Sequence, residues 1–140
     1  MVLEVGAKAL QRRRDQLRKA AESVETQGEF DDTPTVGLLL FYAAECGLKE
    51  RVLARRGHRD STALEPTHNL RRLAKDLRLP RALGAALDRI QVCRLHPPTR
   101  GSVALADLHQ AWRYGAKLNT ADEKAAQEAL RALISWCEQD

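Results

Sequence analysis

Apolar residues recur at helical spacing along most of this chain. Leu3, Leu10, Leu17 and Val24 fall every seven residues, with Ala7 and Ala21 at companion positions. Residues 2–25 therefore predict a helix with one packing seam. Arg14 occupies a seam position and interrupts it, while Arg12, Arg13, Arg18 and Lys19 lie opposite. A seam this short and broken suits packing within the molecule better than a dimeric coil. Residues 26–34 are polar and end in Thr33-Pro34. This pair reads as a helix start, with Thr33 as N-cap and Pro34 in the first turn. The second helix runs to Arg56 and stops at Gly57.

A polar loop over 58–66 leads to Thr67 and Asn69, either of which suits the cap of a third helix. Leu70, Leu73, Ala74 and Leu77 mark that helix's inner face. Pro80 opens a fourth segment with Leu83, Ala86, Leu87, Ile90 and Cys93 inward, closed by Pro97-Pro98. After a loop over 99–104, residues 105–118 predict a short helix carrying His109, Trp112, Arg113 and Tyr114. Thr120-Ala-Asp-Glu123 fits a capping box for the last helix, whose buried stripe is Ala126, Leu130, Leu133, Ile134 and Cys137. No β-hairpin signal, internal repeat or low-complexity stretch is present. The pattern predicts one all-α domain over 1–140, a bundle of four principal helices with one or two short additions.

The second helix is unusual in its first half, Val36 to Leu48, which is apolar on nearly every side yet contains Glu45. A helix that is hydrophobic all round belongs in a core, and a carboxylate there needs a partner or a groove to face. Lys49 stands four residues on, in the favourable acid-before-base order, so an ion pair is expected. The end of this helix turns basic, and Arg51, Arg55, Arg56 and Arg59 read as a solvated terminal turn.

Leu and Ala supply most of the apolar mass and aromatics are only 4%, a balance that favours helix over sheet. The net charge of +4 is carried mainly by Arg, whose fork suits phosphate and carboxylate. Basic clusters at Arg12, Arg13, Arg14 and Arg18, and at Arg55, Arg56, Arg59, Arg71 and Arg72, would make salt-sensitive phosphate contacts. No apolar run reaches the roughly 18 residues of a membrane span, and the N-terminus has no signal-peptide core, so a cytoplasmic protein is expected. Cys46, Cys93 and Cys137 are far apart and read as reduced, structural thiols in helical surroundings. His58, His68, His96 and His109 lack ligand spacing, and no phosphate loop or Cys-x-x-Cys motif is present. No metal and no cofactor are expected.

Phe-Tyr-Ala-Ala-Glu-Cys-Gly-Leu-Lys (41–49) on the second helix is followed by His-Asn-Leu-Arg-Arg-Leu-Ala-Lys-Asp-Leu (68–77) after a polar loop. Ala-Trp-Arg-Tyr-Gly-Ala-Lys-Leu (111–118) then precedes the final helix. In this order the pieces resemble HEPN domains, small helical bundles of prokaryotic toxin and antiphage loci. The match covers about two-thirds of the chain, with its centre at 36–79. The resemblance implies a HEPN-like four-helix up-and-down bundle that forms a homodimer. It also implies either a metal-independent ribonuclease or a non-catalytic module. Such a module would bind RNA or a protein partner from the same locus, or serve only to dimerise.

The family's nucleases use an Arg followed, after a short interval, by a His from each subunit. Arg89 with His96 fits that spacing, as does Arg51 with His58. The first pair is preferred because it stands nearer the final helices. A helix-end role for His96, favoured by the helix dipole, is the plainer alternative. The family motif has a polar residue after the Arg, where this chain has Ile90 or Val52. In the nuclease reading His exchanges protons with the ribose hydroxyl or the leaving oxygen, and Arg holds the phosphate. Arg55, Arg56, Arg94 and Arg113 are the expected RNA contacts, with Glu45, Lys49 and Tyr114 in supporting places.

Overall fold

A computed structural model describes residues 6–27, 32–57, 67–75 and 77–139. Helices dominate: α1 (Ala7–Gln27), α2 (Thr33–Arg56), α3 (Leu70–Ala74), α4 (Arg81–Arg89), α5 (Leu108–Arg113) and α6 (Thr120–Glu138). A small hairpin of β1 (Val92–Arg94) and β2 (Ser102–Ala104) lies between α4 and α5. Its strands pair antiparallel, with Cys93 opposite Val103.

The apolar belt of α2 explains its place at the centre. Leu40, Phe41, Ala43, Ala44, Leu48 and Leu53 are fully buried, and α1, α3, α5 and α6 all pack against this helix. Two glycines let neighbours come close. A Cβ on Gly37 would stand 2.4 Å from Trp112 of α5, and one on Gly47 would stand 2.9 Å from Cys137 of α6. α1 runs antiparallel to α6, with Arg18 bonded to Glu138 and Glu25 to Arg131. α6 runs in the same sense as α2, since Gln127 reaches the Thr33 carbonyl and Arg51 the Cys137 carbonyl. Leu130, Leu133 and Ile134 of α6 and Leu87 of α4 complete the core.

Several local expectations need correction. Asp32, not Thr33, caps α2, its carboxylate accepting from the Thr35 N–H at 3.4 Å. The helical seam of α1 is not interrupted by Arg14. That residue is 4% exposed and donates from Nη1 to the Cys137 carbonyl at 3.0 Å, closing the C-terminal end of α6. α3 is one short turn, because the Leu77 N–H bonds back to the Ala74 carbonyl and the chain turns toward Pro80.

The fourth segment leaves the helix at Arg89. Cys93 is buried from a strand, not from a helix. The backbone groups of 94–96 bond to Gly101, Lys117 and Asn119, so a ladder replaces the helical bonds that periodicity suggested. α5 is likewise shorter than 105–118; a single 3-10 turn, Leu105–Asp107, precedes it and Gly115 at φ +71° ends it. Asn119 caps α6 by accepting from the Asp122 N–H at 3.1 Å. Glu123 is thereby free of the predicted capping box and accepts from Trp112 Nε1 at 2.9 Å. No helix among the described residues is long and apolar enough to cross a membrane.

Candidate functional site

Glu45 lies on the side of α2 that meets α3 and α5, 8% exposed. Its carboxylate has two partners. Oε2 receives Lys49 Nζ at 3.2 Å, the ion pair expected one helical turn on. Oε1 receives His68 Nδ1 at 2.5 Å, from the segment that enters α3.

That segment is fixed by local hydrogen bonds. Thr67 Oγ1 accepts from the Asn69 N–H at 3.0 Å, and Asn69 Oδ1 accepts from the Arg72 N–H at 3.2 Å. Of the two predicted caps Asn69 is the one used, and Thr67 makes the turn that leads into it. His68 sits between them, its side chain 52% exposed. With Nδ1 held by the carboxylate, Nε2 is the nitrogen left for other chemistry.

His109 of α5 completes the cluster. Its ring centroid is 4.5 Å from that of His68 and 5.0 Å from that of Phe41. It is 4% exposed, and its Nδ1 has no hydrogen-bond partner among the described residues. Burial, seconded by the neighbouring His68, holds its pKa below the ordinary value, so the ring is neutral at pH 7. Tyr42 flanks both imidazoles at 6.5 and 6.4 Å, and its hydroxyl accepts from Arg113 Nη2. Hydrogen bonds to Tyr42 and then Tyr114 raise the Arg113 pKa further, keeping the guanidinium charged. Tyr114 itself is 79% exposed. The half-open cluster thus presents an oriented imidazole, a buried neutral imidazole and a fixed guanidinium. Proton transfer beside a bound anion is the chemistry such a set supports. No group of side chains suited to hold a metal occurs among the described residues.

The other predicted site residues lie elsewhere. Arg89 ends α4 on an exposed face. His96 follows β1 and lines a small cleft with Thr33, Lys117 and Glu123, a cleft that Arg89 does not line. Arg51 is half-buried, not solvated. Its Nε and Nη2 donate to the Cys137 carbonyl at 3.1 and 2.8 Å, and it lies over the Trp136 ring. His58, like Arg59, falls outside the described residues. Arg55 and Arg56 are exposed on the last turn of α2. Arg94 is exposed, but its charge is matched by Asp122 through contacts of 2.9 and 3.0 Å, which hold the Asp122 carboxyl below its usual range.

The sequence pattern assigns no site role to His68, His109 or Tyr42. The signal that pointed to this place was Glu45, a carboxylate in an apolar helix that needed a partner. Its second partner lies 23 residues away across a loop, beyond the reach of helical spacing. Comparison of the chain with protein-family models, curated proteins and solved structures returns no match.

Proposed function

We propose that the chain is a HEPN-like helical bundle domain of a prokaryotic toxin or antiphage system, acting as a metal-independent ribonuclease. Its reactive centre is the cluster around His68. The observation that carries this reading is the 2.5 Å contact between Glu45 and His68, with the neutral His109 ring behind and Arg113 alongside. Glu45 fixes the ring by its Nδ1–H, as a carboxylate orients the base of a hydrolytic triad. His68 Nε2 takes the proton of a ribose 2′-hydroxyl, whose oxygen attacks the adjacent phosphorus. The 5′-oxygen leaves with a proton from solvent, giving a cyclic phosphate. Arg113 offsets the charge that builds on the phosphoryl oxygens. A homodimer would supply a second copy of the same set.

A second reading has its own support. His68 stands directly before the Asn69 cap, so its bond to Glu45 also pins α3 to α2. A domain using the contact only in that way is a non-catalytic RNA- or protein-binding or dimerisation module, working with another protein of its locus. Cleavage of mixed RNA in EDTA decides between them, comparing wild type with His68→Ala, Glu45→Gln, Arg89→Ala and His96→Ala at matched helicity. Loss with the first two alone supports the His68 centre. Loss with Arg89→Ala and His96→Ala alone moves the centre to that pair. No cutting by wild type favours the binding module.

A further inference from the structure

Beside the His68 cluster, α3, the connector after it and α4 enclose an open groove of about 970 Å³. Its rim is strongly basic. Among the described residues, Arg71, Arg72, Lys75 and Arg78 line it, together with the carboxylate of Asp88. Asp88 is bonded to Arg71, while Lys75 and Arg78 are exposed and add positive charge at the rim. The floor is apolar, formed in part by Leu77, Leu79 and Leu87. Gly84 of α4 also lines it, and a Cβ there would meet nothing within 4 Å. Asn69, the residue after His68, stands at one end.

A cationic rim over an apolar floor suits a chain that is anionic along one edge and apolar along the other. We propose that this groove binds the backbone of single-stranded RNA and leads the strand to His68. Arg-rich rims favour phosphate forks, and a single strand can lay sugar and base faces on the floor, which a duplex cannot. The groove has no aromatic lining among the described residues, so recognition is tolerant of sequence. The inference rests on the RNA-directed reading above for the identity of the polyanion, but not on catalysis.

The test is fluorescence anisotropy with a short 2′-O-methyl RNA, which lacks the attacking hydroxyl and cannot be cut. Neutralising two phosphates on a single strand through Lys75 and Arg78 gives a log–log salt slope of about −1.4 for wild type. Lys75→Glu with Arg78→Glu should weaken binding by about tenfold or more and flatten that slope. Gly84→Glu should do the same by putting a carboxylate into open space, with no clash to disturb folding. Arg12→Glu with Lys19→Glu, an equal charge change on exposed positions of α1, should change affinity by less than about twofold. Equal loss in that control, or no loss in the groove variants, overturns the groove. Tighter binding of polyglutamate than of RNA overturns it in favour of an acidic protein segment. RNA binding through the groove by a wild type that never cuts upholds this inference and removes only the catalytic part of the reading above.

Discussion

Glu45 and His68 meet at 2.5 Å where the entry to α3 crosses α2, and both oxygens of the carboxylate are engaged, the second by Lys49. The contact joins a buried helix to an exposed imidazole, which gives it two separable consequences. In the catalytic reading, His68→Ala lowers single-turnover cutting by about 10²–10⁴-fold, the range for loss of a proton-transfer group. Glu45→Gln keeps the shape but loses the charge that orients the ring, and lowers the rate with little change in helicity. Cleavage kinetics in EDTA beside circular dichroism check both.

His109 makes stability depend on pH near neutrality. Burial holds its folded pKa below 6.5, so the unfolded chain takes up the proton first as pH falls. Its contribution is whole above 6.5 and is lost as pH drops from there toward the lower folded value. Melting temperatures between pH 7.5 and pH 5, as roughly spaced points, should fall in wild type and flatten in His109→Phe, which keeps the packing on Phe41. Asp122 acts in a different window. Arg94 depresses its pKa below 3.8, so that modest, solvent-screened contribution is present above 3.8 and lost as pH falls through the depressed value.

Arg14 and Arg51 share one acceptor, the Cys137 carbonyl at the end of α6. Removing either leaves the carbonyl bonded by the other; removing both leaves a buried acceptor unsatisfied. Arg14→Ala, which also loses a buried stem, should cost about 2–3 kcal/mol and Arg51→Ala about 1–2. The double variant should cost more than the sum, by about 0.5–2 kcal/mol. Urea denaturation of the four proteins completes the cycle.

Two glycines predict opposite signs. Gly37→Ala places a methyl 2.4 Å from the Trp112 ring, so α2 and α5 must separate, at a cost of about 1–3 kcal/mol or more. Gly84→Ala meets open space in a helix and should gain about 0.5–1 kcal/mol. Thermal melts of the two variants beside wild type read the difference directly.

The thiols should react in a fixed order. Burial pushes Cys93 up to about 11 and Cys137 up to about 12, and both are within the core. Cys46 is only half-buried, although burial and then Glu45 raise its pKa too. Under native conditions a thiol reagent should modify Cys46 alone and slowly, the other two only after unfolding. Mass-resolved labelling checks the order.

The sequence by itself determined the helical character, the central place of α2 and the inward faces of α1, α4 and α6. Those follow from spacing, which sets the face of a helix a side chain occupies whatever packs against it. It also marked Glu45 as a residue in need of partners and located Lys49, because one helical turn is a local distance. Tertiary structure decided the rest. The hairpin at β1 and β2 forms because its backbone groups find partners at Gly101, Lys117 and Asn119, bonds that no local pattern announces. Arg14 reads as a break in a seam until α6 ends beside it and offers a carbonyl. His68, His109, Tyr42 and Arg113 lie on three separate stretches of chain, and only the packing of α3 and α5 on α2 brings their side chains together. Spacing along a helix cannot specify contacts between helices, so the cluster became visible only when the core had closed around it.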